Sequence, residues 1–220
     1  MLKKMSPEDF MRSVIELYHE ARVSTFPEDN IIRGRSSAIS SKLEDLLARF
    51  IARNIKKDFT FYLDQCMTFS ATKRYPDIVL QAKNGDIPHL LDVKADIGWK
   101  RSKIVDFCKE WDTRISKIKG TKTNFKLGTT KEERSGQFTN SLVYHVVIIT
   151  AINGGKNLSE NVNEVNNDLE HVRLYVLSTG AHPNEYMSPP DKKILSKNDV
   201  FKLLQIKKTE FDKLMCCLNE

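Results

Sequence analysis

Asp77, Asp92 and Lys94 stand in the stretch YPDIVLQAKNGDIPHLLDVK, residues 75–94. Two carboxylates set opposite one another on a sheet repel. A divalent cation between them removes that cost, and Mg²⁺ suits the task because it takes one or two carboxylates and keeps water in its other positions. A lysine alongside can orient an attacking water or accept its proton. Asn84-Gly85 is the strongest hairpin signal in the chain. With that pair as a two-residue turn, cross-strand partners have numbers summing to 169, which sets Asp77 against Asp92. Their Cβ atoms would then lie about 4.5–5.5 Å apart. Lys94, two residues beyond Asp92, points from the same face. Pro88 falls opposite Gln81, where its missing N–H breaks the ladder. A wider symmetric loop preserves the pairing sum, whereas a bulge shifts it by one.

A third acid comes from a separate element. In the helical segment SSAISSKLEDLLARFIARNI, a wheel with Leu47 at zero spreads the apolar residues from about −100° to +80°. Glu44 falls inside that stripe at about +60°, while its neighbour Asp45 points outward. A glutamate among apolar residues is costly unless something pairs with it. The two readings are a salt bridge at the edge of the core and a place beside the hairpin aspartates; the hairpin favours the second.

The elements that must position these residues follow from local signals. Ser6-Pro7-Glu8-Asp9 starts a helix that runs to about Arg22, and a second helix spans about Ser37 to Lys56. Phe59 to Phe69 reads as a strand, as do Ile78–Leu80 and Leu90–Val93. Ser102 to about Lys119 carries Ile104, Phe107, Cys108, Trp111, Ile115 and Ile118 at helical spacing, which marks a core-facing helix. Thr121 to Asn140, polar and glycine-containing, reads as a loop or irregular flap. Leu142–Thr150 and Val172–Leu177 read as buried strands, with an amphipathic helix around Val162, Val165 and Leu169 between them. Lys197–Leu204 and Thr209–Leu218 close the chain as a packed helical hairpin, a reading favoured over a helix-turn-helix.

With 220 residues and 40% hydrophobic content, the chain is expected to form a single domain with one well-buried core. The formal net charge is +6, and its distribution is uneven. Eleven Lys or Arg fall between Lys94 and Lys131, whereas Ser159 to Glu170 holds four acids and no base. Such a basic stretch suits a polyanionic partner. The cysteines at 66, 108, 216 and 217 lack C-x-x-C spacing, so reduced thiols and no zinc site are expected. The scattered histidines are read as structural or surface residues. Neither a signal peptide nor a run long enough to cross a bilayer is present, so a cytoplasmic location without a membrane is expected.

The order is thus a helix with an inward Glu44, a strand, Pro76-Asp77, a turn, Asp92-Val93-Lys94, a basic helix and a buried strand. This resembles the PD-(D/E)XK nuclease superfamily, and within it most of all the type II restriction endonucleases, over about Ser36 to Ile152. Pro76, Asp77, Asp92 and Lys94 match the motif without departure, and Glu44 fits the acidic position often found on the first core helix.

The resemblance implies an α/β fold of restriction-endonuclease type: a mixed central sheet flanked by helices, with residues 153–220 completing it. It implies that Asp77, Asp92 and the Val93 carbonyl hold Mg²⁺, with Mn²⁺ as a possible substitute. Glu44 would take a second ion or act through water, and Lys94 would position or activate the attacking water. The implied activity is site-specific hydrolysis of double-stranded DNA to 5′-phosphate and 3′-hydroxyl ends. A homodimer would match a palindromic site. Arg33, Arg35, Lys100, Arg101 and Lys103 are candidate phosphate contacts, and Asn124, Lys126, Arg134 and Asn184 candidate base readers. A structure-specific repair or junction-resolving nuclease is one alternative, and a non-catalytic basic DNA-binding protein is another.

Overall fold

The computed structural model describes residues 3–98, 103–187 and 194–220. Helix α1 (Pro7–Arg22) begins where the sequence signals: the Asp9 N–H donates to Ser6 Oγ at 3.1 Å and the Ser6 N–H to Asp9 Oδ2 at 3.3 Å. This reciprocal capping satisfies two N–H groups that the helix cannot pair internally. A single 3-10 turn (Pro27–Asp29) precedes α2 (Ser40–Asn54). The sheet then opens with β1 (Phe59–Leu63), β2 (Met67–Phe69) and β3 (Thr72–Arg74), followed by β4 (Ile78–Ala82) and β5 (Asp86–Lys94). Helix α3 (Ile104–Ile118) leads to β6 (Lys122–Lys126) and the long β7 (Glu133–Ile148). After these come α4 (Leu158–Asp168), β8 (Val172–Val176), β9 (Ser178–Thr179), α5 (Lys197–Leu203), β10 (Gln205–Ile206) and α6 (Lys208–Asn219).

The result is an α/β protein built on a mixed sheet in the order β1-β4-β5-β7-β6-β2-β3, with β8 also paired to β7. Strand β5 runs parallel to β7, and β7 parallel to β8; the other pairs of this sheet are antiparallel. Alternation along the strands sends Leu80, Leu91 and Val147 to one core, shared with α1, α2 and α6. Leu90, Val146 and Ile148 go to the other, shared with α3, α4 and the strands around Phe125.

Three sequence expectations need correction. The strand expected over Phe59–Phe69 breaks at Asp64, whose φ of 45° reverses the chain, so β2 leaves β1 for a different neighbour. An aspartate tolerates this left-handed conformation better than a β-branched residue does. Thr121–Asn140 is not a loop: β6 and the first half of β7 occupy most of it, with Thr123, Phe125 and Phe138 buried. The terminal helices α5 and α6 are separated by β10, which pairs with β9, so they form no direct helical hairpin.

The hairpin expectation survives in modified form. Ile78 pairs with Leu91, Val79 with Leu90 and Leu80 with His89, so each pair sums to 169. The turn itself is Ala82–Gly85, closed by the Gly85 N–H on the Ala82 carbonyl at 2.9 Å. Gly85 takes a φ of 91°, a conformation that glycine adopts without steric cost. Pro88 sits where the ladders stop: the β4–β5 pairing ends at His89, and the β5–β7 register jumps between Ile87 and His89. Gln81 compensates with its side chain, donating to the carbonyls of Gly85 at 3.1 Å and Ser135 at 2.9 Å.

Candidate functional site

One position beyond the Ile78–Leu91 pair, Asp77 and Asp92 face each other at the end of the hairpin. The Val93 N–H donates to Asp77 Oδ2 at 2.6 Å, holding that carboxylate against β5. Asp92 is 7% exposed, and one of its oxygens accepts from the Tyr144 hydroxyl at 3.0 Å. Tyr144, 1% exposed, lies flat on Trp111 with ring centroids 3.9 Å apart and planes 12° from parallel. The other Asp92 oxygen accepts from Lys94 Nζ, which also lies 3.9 Å from Asp77 Oδ2. The ammonium therefore sits between the two acids.

Burial, reinforced by the Asp92 charge, pushes the Asp77 carboxyl up to about 7. The same surroundings act on the non-acids. Burial and Asp92 push the Cys108 thiol up to about 12, and they raise the Tyr144 hydroxyl well above its ordinary range. Both therefore stay protonated at neutral pH, so Tyr144 can only donate to Asp92. Glu44 lies half-buried on α2, and burial followed by the Asp64 charge raises its carboxyl, while Lys94 opposes the shift. Charges on Lys94 and Asp92 register at Glu44, which puts the third acid beside the hairpin rather than in a remote salt bridge.

The donor set fits a hard divalent cation: opposed carboxylates, one already carrying a raised affinity for positive charge, with an ammonium now between them. Among the described residues no three His, Cys, Asp or Glu side chains converge closely enough to hold a metal together. Glu44 thus faces the pair without joining it. Val93 enters through its N–H.

The remaining candidates separate into groups. Asn124, Lys126 and Arg134 line one cavity of about 670 Å³ at β6 and β7; Asn124 and Lys126 point from the outer face, whereas Arg134 is paired with Phe125 and leaves β7 on the opposite face. Arg33 and Arg35 line a second, shallower cavity of about 560 Å³ in the segment leading to α2. Lys103 is exposed just before α3, and Lys100 and Arg101 lie outside the described residues. Asn184 sits in a loop held to helix α1. Its Oδ1 accepts from Arg22 Nε at 3.0 Å and from a second guanidinium nitrogen at 2.8 Å, so it anchors a loop to α1.

Sequence reasoning missed Asp64 and Tyr144. Asp64 donates its N–H to the Asp77 carbonyl at 2.9 Å, and its charge reaches Glu44. Its only sequence signal was an acid interrupting a β-rich run. Tyr144 looked like one more residue of a buried strand; a hydroxyl in an otherwise apolar run was the available clue, since buried tyrosines need a partner.

Comparison with protein-family models, with curated proteins and with solved structures gives no match for the chain. No helix among the described residues is long and apolar enough to cross a membrane.

Proposed function

We propose that the chain is a Mg²⁺-dependent endonuclease that cuts double-stranded DNA at a specific sequence, on a restriction-endonuclease-like core. The observation that carries the reading is the clustering of Asp77, Asp92 and Lys94 on one face at the end of β4 and β5. A purely structural hairpin gains nothing from opposed acids that push one of the two up to about 7.

Asp77 and Asp92, with the Val93 carbonyl, would hold the cation, which supplies charge stabilisation at the phosphoryl oxygens. The chain's own groups do the rest. The Val93 N–H and the Tyr144 hydroxyl fix the two carboxylates so that neither rotates as charge builds. Lys94, released from Asp92, directs its ammonium at the attacking water and at the negative charge developing on the phosphate. Glu44 reaches the site through water and can hold a proton there, because burial and Asp64 raise its carboxyl. Water oxygen bonds to phosphorus, the bond to the 3′ oxygen breaks, and that oxygen leaves with a proton. The ends are a 5′-phosphate and a 3′-hydroxyl. A two-fold homodimer would present two such edges to a palindromic site.

Digestion of a mixed-sequence DNA with Mg²⁺, followed by sequencing of the ends, tests this. Ends at one short sequence are the expected result. Ends set by DNA structure, with no shared sequence, would favour a repair or junction nuclease. No cleavage, or cleavage that persists in EDTA, would overturn the reading.

A further inference from the structure

We infer that the outer face of the wing made by β3, β2, β6 and the first half of β7 is the groove that holds the phosphate backbone of duplex DNA next to the cutting edge; this rests on the nuclease reading above. The cavity of about 670 Å³ opens on this face, with Lys73, Asn124, Lys126 and Arg134 in its walls. Strand alternation explains why: Thr123 and Phe125 turn into the core, which leaves Asn124 and Lys126 pointing out.

The cations here are available to a ligand. Among the described residues, neither the Lys73 ammonium nor the Asn124 amide has a side-chain partner. Among the described residues, Lys126 has Glu133 as its ion-pair partner, at 3.4 Å, and Arg134 has Glu132. All four of those side chains are well exposed. Solvent-exposed pairs of this kind hold weakly. A phosphate offers both cations a better acceptor, and arginine can take it with two hydrogen bonds at once. The Asn124 amide carries a donor and an acceptor together, which suits a base edge or sugar beside the backbone.

Continuity with the catalytic edge gives the groove its direction. Asp64 donates to the Asp77 carbonyl at 2.9 Å, and Gln65 Nε2 donates to the Lys126 carbonyl at 3.0 Å. Cys66, next in the chain, lines the cavity. Three consecutive residues thus run from the acid pair to the basic cavity. A backbone seated on Lys126 and Arg134 would continue toward Asp77 and Asp92.

The test is binding, so that it does not depend on cleavage. Anisotropy of a labelled 30-base-pair duplex is followed in EDTA across a salt series, for the wild-type chain and for the triple variant Lys73→Gln, Lys126→Gln, Arg134→Gln. The variant should lose more than about ten-fold in affinity at 100 mM salt, and its slope of log K on log salt should flatten by about 2–3, close to 0.9 per phosphate contact. Lys42→Gln, on α2, serves as the surface-charge control and should match wild type. Wild-type affinity and slope in the triple variant would overturn the groove while leaving the nuclease reading standing. A wild-type chain that binds no DNA would overturn both. Tighter binding of an RNA duplex of the same sequence would overturn DNA as the occupant.

Discussion

On one face of the sheet, Asp77, Asp92 and Lys94 gather at the end of β4 and β5. On the other, His89, His145 and Tyr175 cross the middle of β5, β7 and β8 in a row. His89 Nδ1 and His145 Nε2 are 3.2 Å apart, and His145 Nδ1 lies 3.3 Å from the Tyr175 hydroxyl. Both clusters bury polar groups. The histidine row is kept neutral: burial and the Lys57 charge depress His89 to about 4, while burial and His89 hold His145 well below its ordinary range. It lies on the side of the sheet that packs against α6. Among the described residues, His89 Nε2 is the one buried side-chain polar atom without a hydrogen-bond partner. The acid cluster instead brings ionisable groups together at the end of the strands, where burial and the Asp92 charge push Asp77 up to about 7. Neutral polar groups inside a core serve packing and register, whereas ionisable groups gathered at an accessible edge are what chemistry requires.

The largest expected effect breaks the charged face. Lys94→Ala should lower Mg²⁺-dependent cleavage by at least about 10²-fold, the lower end for a positioned acid–base group. A Lys94→Ala chain of full activity would sink the assigned role, provided circular dichroism shows the fold intact.

The neutral face should fail in acid. A histidine whose folded value lies below its unfolded value costs stability as pH falls through the unfolded value, here from about 6.5 toward 4. Each should cost at most about 1.4 kcal/mol per pH unit in that window. Asp77 works in the opposite sense: its raised value means stability is lost as pH rises from about 4 through 7. Urea unfolding of the double variant Asp77→Asn, Glu44→Gln between pH 7.5 and 4.5 removes both raised carboxyls and leaves the histidines, and a flat profile would contradict their neutral burial.

Tyr144→Phe keeps the ring on Trp111 but leaves Asp92 Oδ2 without its donor. The expected cost is about 1–3 kcal/mol in urea unfolding, together with a weaker metal-induced rise in melting temperature. If the metal response is unchanged, the hydroxyl does no more than support the core. The smallest effect belongs to Asp77→Asn at pH 8, which should gain on the order of 1 kcal/mol by removing a charge from beside Asp92. That variant should also lose the Mg²⁺-induced stabilisation expected of the wild-type chain. An equal Mg²⁺ response in both would remove Asp77 from the metal site.

The acid pair was legible because its geometry is local. A turn and an even spacing decide which side chains meet, and the pairing sum held even though the turn lay one residue earlier than Asn84-Gly85 suggested. Glu44 was legible through a helical stripe, another short-range pattern. The wing was not, because few apolar residues mark β6 and the first half of β7, and their order comes from partners distant in sequence. Met67 pairs with Phe125, and Ile87 with Phe138. The Arg22 contact of Asn184 was hidden for the same reason: a lone amide in a loop gives no sign of an arginine 162 residues earlier.

The Lys94 ammonium between Asp77 and Asp92 makes cation uptake an exchange rather than an addition. The fold carries its own counter-ion, so it can assemble and persist without drawing one from solution. Any divalent ion that enters must first evict the lysine. Apparent metal affinity would then be weaker than the two carboxylates alone would give, and shortening residue 94 would tighten binding even as it removes the group proposed to steer the water. Loading and turnover would respond to that one side chain in opposite directions.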